Sequence, residues 1–288
     1  MEHTDFSIRD IQIKSLEIFR VFDKFCAANS LRYFLCGGAL IGAVRNKGFI
    51  PWDDDIDCFM LREDYEKLVS LWNEYDSSGR YSMLRSDRNN FYDTMLTQFS
   101  DNNTAFIKSD LIDSDINHGL KIEILPLDAC AEGKISRRIQ ILWALVFCLF
   151  NRAFIPQNKG VIVRYCSIFA LRIFRSYKSR YRLWRFAEKR MSRRPVEQNT
   201  EHLTELCVTY KYLVNKYPKR IFEDTVLLDF EGMKVSAPAG YDEYLRIAFG
   251  DYMTPPPPEE QVIKHNPVFV DLNSSYLNYR GIHYKKQK

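Results

Sequence analysis

Gly48-Phe49-Ile50-Pro51-Trp52-Asp53-Asp54-Asp55-Ile56-Asp57-Cys58-Phe59-Met60 puts four carboxylates into five positions between two apolar flanks. Unit charges ~4 Å apart at an effective dielectric of ~20 repel by about 4 kcal/mol. Acids at the mouth of a buried strand must therefore meet a cation or take up protons. A strand over residues 55–61 would turn Asp55 and Asp57 to one face and Ile56 to the other. Two carboxylates on one face suit a hard, oxygen-seeking ion, Mg2+ or Mn2+. A solvated acidic turn is the plain alternative. A calcium loop is not supported: Asp53, Asp55, Asp57 and Asp64 fall at its ligand spacing, but Cys58 stands where that loop needs glycine.

Upstream, Leu31 to Cys36 reads as a short strand, Gly37-Gly38 as its end, and Ala39 to Asn46 as a short helix. Strand, glycine pair and helix let backbone N–H groups approach a phosphate. Arg45 and Lys47 stand between this turn and the acids, and either neutralise phosphate or lie on a solvated surface. Downstream, Gly119 to Asp128 reads as a strand, with Asp128 opening a turn. Glu123 sits between Ile122 and Ile124, where a lone acid is costly unless paired or bound to a metal. Paired carboxylates, a third acid on a later strand and an upstream glycine turn together suit metal-assisted phosphoryl chemistry.

The run from Phe34 through Asp57, continued by Arg62-Glu63-Asp64-Tyr65, resembles the LicD family. That family is similar to polymerase-beta-like nucleotidyltransferases and to the fukutin group. Ile122 to Asp128 resembles the family's second motif. Phe230-Glu231-Gly232-Met233-Lys234-Val235 and Tyr241 to Met253, followed by prolines, resemble its third. Ala39 stands where the family usually has Thr, and Glu123 where Asp is usual. The resemblance implies an α+β fold, a polymerase-beta-like nucleotidyltransferase mixed sheet with flanking helices and a helical, basic insertion. It implies transfer of a phospho-alcohol such as phosphocholine from a CDP-linked donor to a sugar hydroxyl of a cell-surface glycan, free or lipid-linked. Asp55, Asp57 and Glu123 would be catalytic and, with Asp53, would hold Mg2+ or Mn2+. Gly37, Gly38, Arg45, Lys47 and Trp52 would line the donor. A nucleotidyltransferase releasing pyrophosphate and a non-catalytic membrane or glycan adaptor are the rival readings.

The expected organisation is a catalytic core over 1–130, a helical basic insertion over 131–218, and a return to the core over 219–288. From Lys134 to Arg194 there are sixteen Lys/Arg against one acid, Glu188, a local charge of +15 that leaves −11 elsewhere. Ile139 to Phe150 is strongly apolar but short of the ~20 residues of a membrane span. Val161 to Arg190 interleaves basic residues with Tyr, Phe, Leu and Trp at near-helical spacing. It reads either as an interfacial surface for an anionic membrane or as a packed helical subdomain with a basic face. No motif suggests nucleic acid.

Seven scattered cysteines, without a C-x-x-C, and an N-terminus lacking a basic-then-apolar signal suggest a reducing, cytoplasmic setting, peripheral at most to the inner membrane face. Elsewhere helices are expected over residues 7–29, 62–75, 197–217 and 241–249. Strands are expected over 81–85, 94–99 and 104–108, and a hairpin turning at Glu231-Gly232. The tail beyond Asn273 should be loose. His118 and His265 are candidates for proton transfer or phosphate contact, or are structural imidazoles. The 17 Tyr and 4 Trp offer too many partners to single out an aromatic cage for choline.

Overall fold

Ser7 caps the first helix, α1 (Ile8–Ala28), through a reciprocal capping box with Asp10. The apolar positions Ile11, Leu16, Phe19, Phe22 and Phe25 then fall on one face and are buried. The computed structural model describes residues 6–153, 161–208, 210–263, 265 and 267–286. It divides the chain into two compact units. One gathers the chain up to Leu84, Thr97–Leu125, and everything from Arg220 on; the other gathers Arg85–Leu96 and Pro126–Lys219.

The first unit is built on β1 (Tyr33–Cys36), β2 (Asp57–Leu61), β3 (Tyr81–Leu84), β4 (Thr97–Asp101) and the leading part of β6 (Leu120–Ala129), in the order β1-β2-β6-β4-β3. The pairs β1–β2, β3–β4 and β4–β6 are antiparallel. Helices α2 (Gly37–Asn46) and α3 (Arg62–Tyr75) follow β1 and β2 directly. Phe22 and Trp72 pack on Phe99, and Phe34, Phe59, Phe222 and Tyr244 form a second aromatic cluster. Burying each such ring contributes on the order of 2–3 kcal/mol. A hairpin of β9 (Thr225–Phe230) and β10 (Met233–Pro238) turns at Glu231-Gly232, both at positive φ. It is followed by α8 (Tyr241–Phe249).

The tail is not loose. Strand β11 (Pro267–Asp271) pairs with β5 (Ala105–Lys108), and Tyr284 is buried against the ring of His118 at 4.1 Å. An aromatic at the end of a polar stretch anchors it, because the ring has a cluster with Ala105, Ile107 and Phe269 to enter. His118 is itself buried, and its ring nitrogen contacts the Ser114 carbonyl at 2.9 Å. It is a packing residue.

In the second unit, α4 (Lys134–Arg152), α5 (Val161–Ile173) and α6 (Tyr177–Met191) carry the basic segment. Phe147, Phe150, Trp184 and Met191 form its core with Leu206 and Leu213. Glu197–Tyr217 is not one helix: it holds β7 (His202–Glu205), the single-turn α7 (Tyr210–Leu213) and β8 (Tyr217–Pro218). Leu203, Leu206, Cys207, Leu213 and Tyr217 are all buried, at spacings that also fit a helix face. Pairing with the end of β6 decides for strand, and Asp128, opposite Thr204, lies fully buried inside β6 rather than at a turn. The buried Arg137 guanidinium donates to Thr204, Gln140 and the Leu213 carbonyl, which ties these segments together.

Candidate functional site

The acid run is held from three directions in the first unit. Gln12 of α1 donates its amide to the carbonyls of Ile50 (3.2 Å) and Asp53 (2.9 Å). Glu231, at the hairpin tip, accepts from the Phe49 N–H at 3.1 Å and pairs with Arg9. The Asp53 N–H bonds back to the Ile50 carbonyl, closing a tight turn at Pro51-Trp52. Register then places Asp57 opposite Cys36, beside the start of α2.

The glycine pair is shaped around the carboxylates. Gly37 lies at φ +57°, and a Cβ there would stand 3.4 Å from Asp57 Oδ2. A Cβ at Gly38 would run into the Asp53 carboxylate. The glycines are not a strand terminator followed by a helix; they are its first turn. The start of α2, with its positive dipole end, therefore borders Asp53 and Asp57.

Strand β2 begins at Asp57, so Asp55 lies just ahead of it. Glu123 reaches the same place from β6: its N–H donates to the Ile56 carbonyl at 3.1 Å, and Gln98 donates to its Oε1 at 2.8 Å. Burial lifts the Asp57 carboxyl well above the usual range, and the charges of Asp55, Glu123 and Asp53 lift it further. Loss of water also raises Asp55, where His265 pulls down and Asp54 and Glu123 push up. Lys108 opposes the rise at both.

Asp54 is buried, and His265 meets it through Nδ1 at 2.8 Å while Nε2 stands 3.5 Å from Asp55 Oδ2. Burial disfavours the imidazolium, but the hydrogen bond to Asp54 and the charge of Asp55 outweigh it, and the His265 pKa lies above its ordinary value. Asp57 Oδ1 and Asp54 Oδ2 are buried with no hydrogen-bond partner among the described residues. Orphaned carboxylate oxygens within a cluster of mutually repelling acids fit a divalent cation, and an oxygen-rich donor set fits a hard one.

The structure thus gathers Gly37, Gly38, Asp53, Asp55, Asp57 and Glu123. It does not bring Arg45 and Lys47 to them. Both lie at the far end of α2, about 12 Å (Arg45) and about 15 Å (Lys47) along its axis from Gly37 at 1.5 Å per residue. There Arg45 donates to the Tyr252 carbonyl, and Lys47 ends the helix at positive φ, exposed. Trp52 is half-buried in the turn before the acids. Lys108 and Lys121 line the cleft instead, with Asp55, Glu123 and His265. Sequence reading missed Lys108 and undervalued Asp54 and His265. Pairing of Pro267 with Lys108 brings Lys108 and His265 to the site, and no local pattern announces a pairing between such distant strands.

This sheet and carboxylate cluster are those of a nucleotidyltransferase-like domain. Residues 30–126, which carry the acid run and Glu123, match the family described as LicD/FKTN/FKRP, nucleotidyltransferase domain. Over 271 residues the chain is 29% identical to the lipopolysaccharide cholinephosphotransferase LicD of Haemophilus influenzae, spanning 90% of this chain and 96% of that protein. It is also 30% identical over 69 residues to the uncharacterized protein RP689 of Rickettsia prowazekii, 23% of this chain and 26% of that one. With the uncharacterized protein RT0683 of Rickettsia typhi it shares 35% identity over 54 residues, 18% of each. The chain is thus similar to the LicD family over residues 30–126 and, at 29% identity, to a LicD protein over nearly its whole length.

Proposed function

We propose that this protein is a divalent-cation-dependent phosphotransferase that moves a phosphocholine-like group from a CDP-linked donor to a sugar hydroxyl of a lipopolysaccharide-type glycan. The observation that carries this reading is the convergence of Asp55, just ahead of β2, Asp57, at its start, and Glu123, on β6, beside the start of α2. Asp53, Asp55, Asp57 and Glu123 would hold Mg2+ or Mn2+, which when bound neutralises phosphate charge and eases departure of the leaving oxygen. The acceptor hydroxyl attacks the phosphorus that bears the alcohol. The bond from that phosphorus to the CMP oxygen breaks, and CMP leaves. Glu123, oriented by Gln98, takes the hydroxyl proton. Lys108 and the first N–H groups of α2 give the donor phosphates positive neighbours, the part first assigned to Arg45 and Lys47.

The test is incubation with CDP-choline, CDP-ribitol and nucleoside triphosphates, with and without lipopolysaccharide acceptor. CMP release from a CDP-alcohol supports the reading. Pyrophosphate release from a triphosphate overturns it in favour of a nucleotidyltransferase.

A second element of the reading concerns the second unit. Helix α4 buries one face and exposes Ile135, Ile139, Leu142 and Leu145 beside Arg138. Helix α5 exposes Tyr165, Phe169 and Ile173 beside Arg164 and Arg172. Among the described residues no helix is long and apolar enough to cross a membrane. Apolar stripes edged with arginine match an anionic lipid surface such as the inner membrane face, where a lipid-linked acceptor would be met. Association with anionic liposomes at low salt, reversed at high salt, is the expected result of flotation; no association at low salt removes this element and leaves the chemistry standing.

A further inference from the structure

His265 stands 211 positions along the chain from Asp54, yet its two ring nitrogens divide between the two acids. Nδ1 lies 2.8 Å from Asp54 Oδ1 and Nε2 3.5 Å from Asp55 Oδ2. With Nδ1–H donated to Asp54, a neutral ring would turn its Nε2 lone pair toward Asp55. At 3.5 Å the Nε2–Asp55 approach is long for a hydrogen bond. Two ligands ~2.1 Å from one ion and at right angles stand about 3 Å apart, so a small closure would suit a shared cation. One donor atom each from Asp54, Asp55 and His265 already lie within 4.8 Å of one another. The remaining oxygen of Asp54 is buried and without a hydrogen-bond partner among the described residues.

We propose that His265 is a direct ligand of the site's cation through Nε2, with Asp54 holding its Nδ1–H, and that this nitrogen makes the site select Mn2+ over Mg2+. A carboxylate–histidine–metal relay fixes ring orientation and raises the basicity of the ligating nitrogen. Carboxylate and water alone suit Mg2+, which strips its water reluctantly, whereas an imidazole in the set favours a first-row transition ion such as Mn2+ over Mg2+. The Asp54–His265 pair therefore sets metal identity, while Asp55, Asp57 and Glu123 set its position. The competing account is that His265 only neutralises Asp54 and Asp55 as an imidazolium. This inference rests on the cation-dependent reading above, and its test separates the two.

The full-length chain is loaded with Mn2+ alone and examined by pulsed electron paramagnetic resonance for nitrogen coupling to the ion. Mn2+ and Mg2+ affinities are measured in parallel. The background variant is His202→Ala, since Glu132, Glu201 and His202 form a separate surface cluster that also gathers three donor atoms. The expected result is a 14N coupling in that background, replaced by 15N coupling when histidine is 15N-labelled and lost in His265→Ala. His265→Ala should also weaken Mn2+ roughly tenfold or more and Mg2+ by less than about threefold. Absence of nitrogen coupling, coupling that survives His265→Ala, or equal losses for both ions overturns the proposal. If His265→Ala does not fold, the labelled His202→Ala protein and His265→Gln decide it by the same coupling. Mn2+ bound without nitrogen coupling but lost in Asp57→Asn sinks only the histidine ligand. No Mn2+ binding even with donor present sinks the cation-dependent reading as well.

Discussion

Gln98 and Glu123 face each other across the β4–β6 ladder, and the amide of the first donates to Oε1 of the second at 2.8 Å. Gln98 is buried, so its amide has little freedom, and by holding Oε1 it fixes how the Glu123 carboxylate is turned. Gln98→Ala is expected to lower divalent-ion affinity roughly 10- to 100-fold, the usual effect of removing a group that orients a ligand. Ion titration checks this, with circular dichroism confirming the fold. Gln98→Glu should be worse, because it adds a further negative charge to the cluster.

Gly37 and Gly38 separate two costs that a glycine can hide. Gly38→Ala drives a methyl into the Asp53 carboxylate, so activity should fall far more than stability, as Asp53 turns away. Gly37→Ala meets only an ordinary 3.4 Å contact, but at φ +57° it costs about 1–2 kcal/mol of stability. Chemical denaturation alongside CMP release distinguishes them.

Removing one of the crowded acids should stabilise the metal-free protein. Asp57→Asn relieves repulsion from Asp55, Glu123 and Asp53 and is expected to raise unfolding free energy in EDTA by roughly 1–2 kcal/mol while abolishing turnover. Wild type at 100 times the dissociation constant of Mn2+ should gain about 2.7 kcal/mol, and the variant almost nothing. Equal gains would mean that the ion binds elsewhere.

Glu205 gives the second unit its own pH dependence. Burial raises its pKa from 4.5 to about 7, and the Tyr217 hydroxyl, which donates to it, opposes the rise. The folded state thus holds a proton that the unfolded chain releases. The contribution is complete below pH ~4.5, falls as pH rises toward ~7, and is gone above it, amounting to about 3 kcal/mol. Urea denaturation of Glu205→Gln should show a flatter profile than wild type and the higher stability at pH 8.

Local signals read well. Helix α3 runs over Arg62–Tyr75 because Tyr65, Leu68 and Trp72 repeat on one face, and the turn at Glu231-Gly232 shows in its residues alone. Sequence reading faltered where distant pairing decided the outcome. The apolar spacing from Leu203 to Tyr217 satisfies a helix and a strand pair equally, and only β6 breaks the tie. Arg45 lies close to the acids in sequence, but a ten-residue helix carries it away. Lys108 and His265 lie far apart in sequence, and β5–β11 sets them side by side. Nearness along the chain was a poor guide to which side chains face the carboxylates; strand pairing was the guide.

Glu231 holds the Phe49 amide and Arg9, and His265 closes on Asp54, so the last fifth of the chain props up a loop near its beginning. While a ribosome is still translating the middle, the early acids have emerged without their braces. The site can then be completed only once Glu231 and His265 have followed, and a shortened product lacking those segments would leave the early aspartates without their braces.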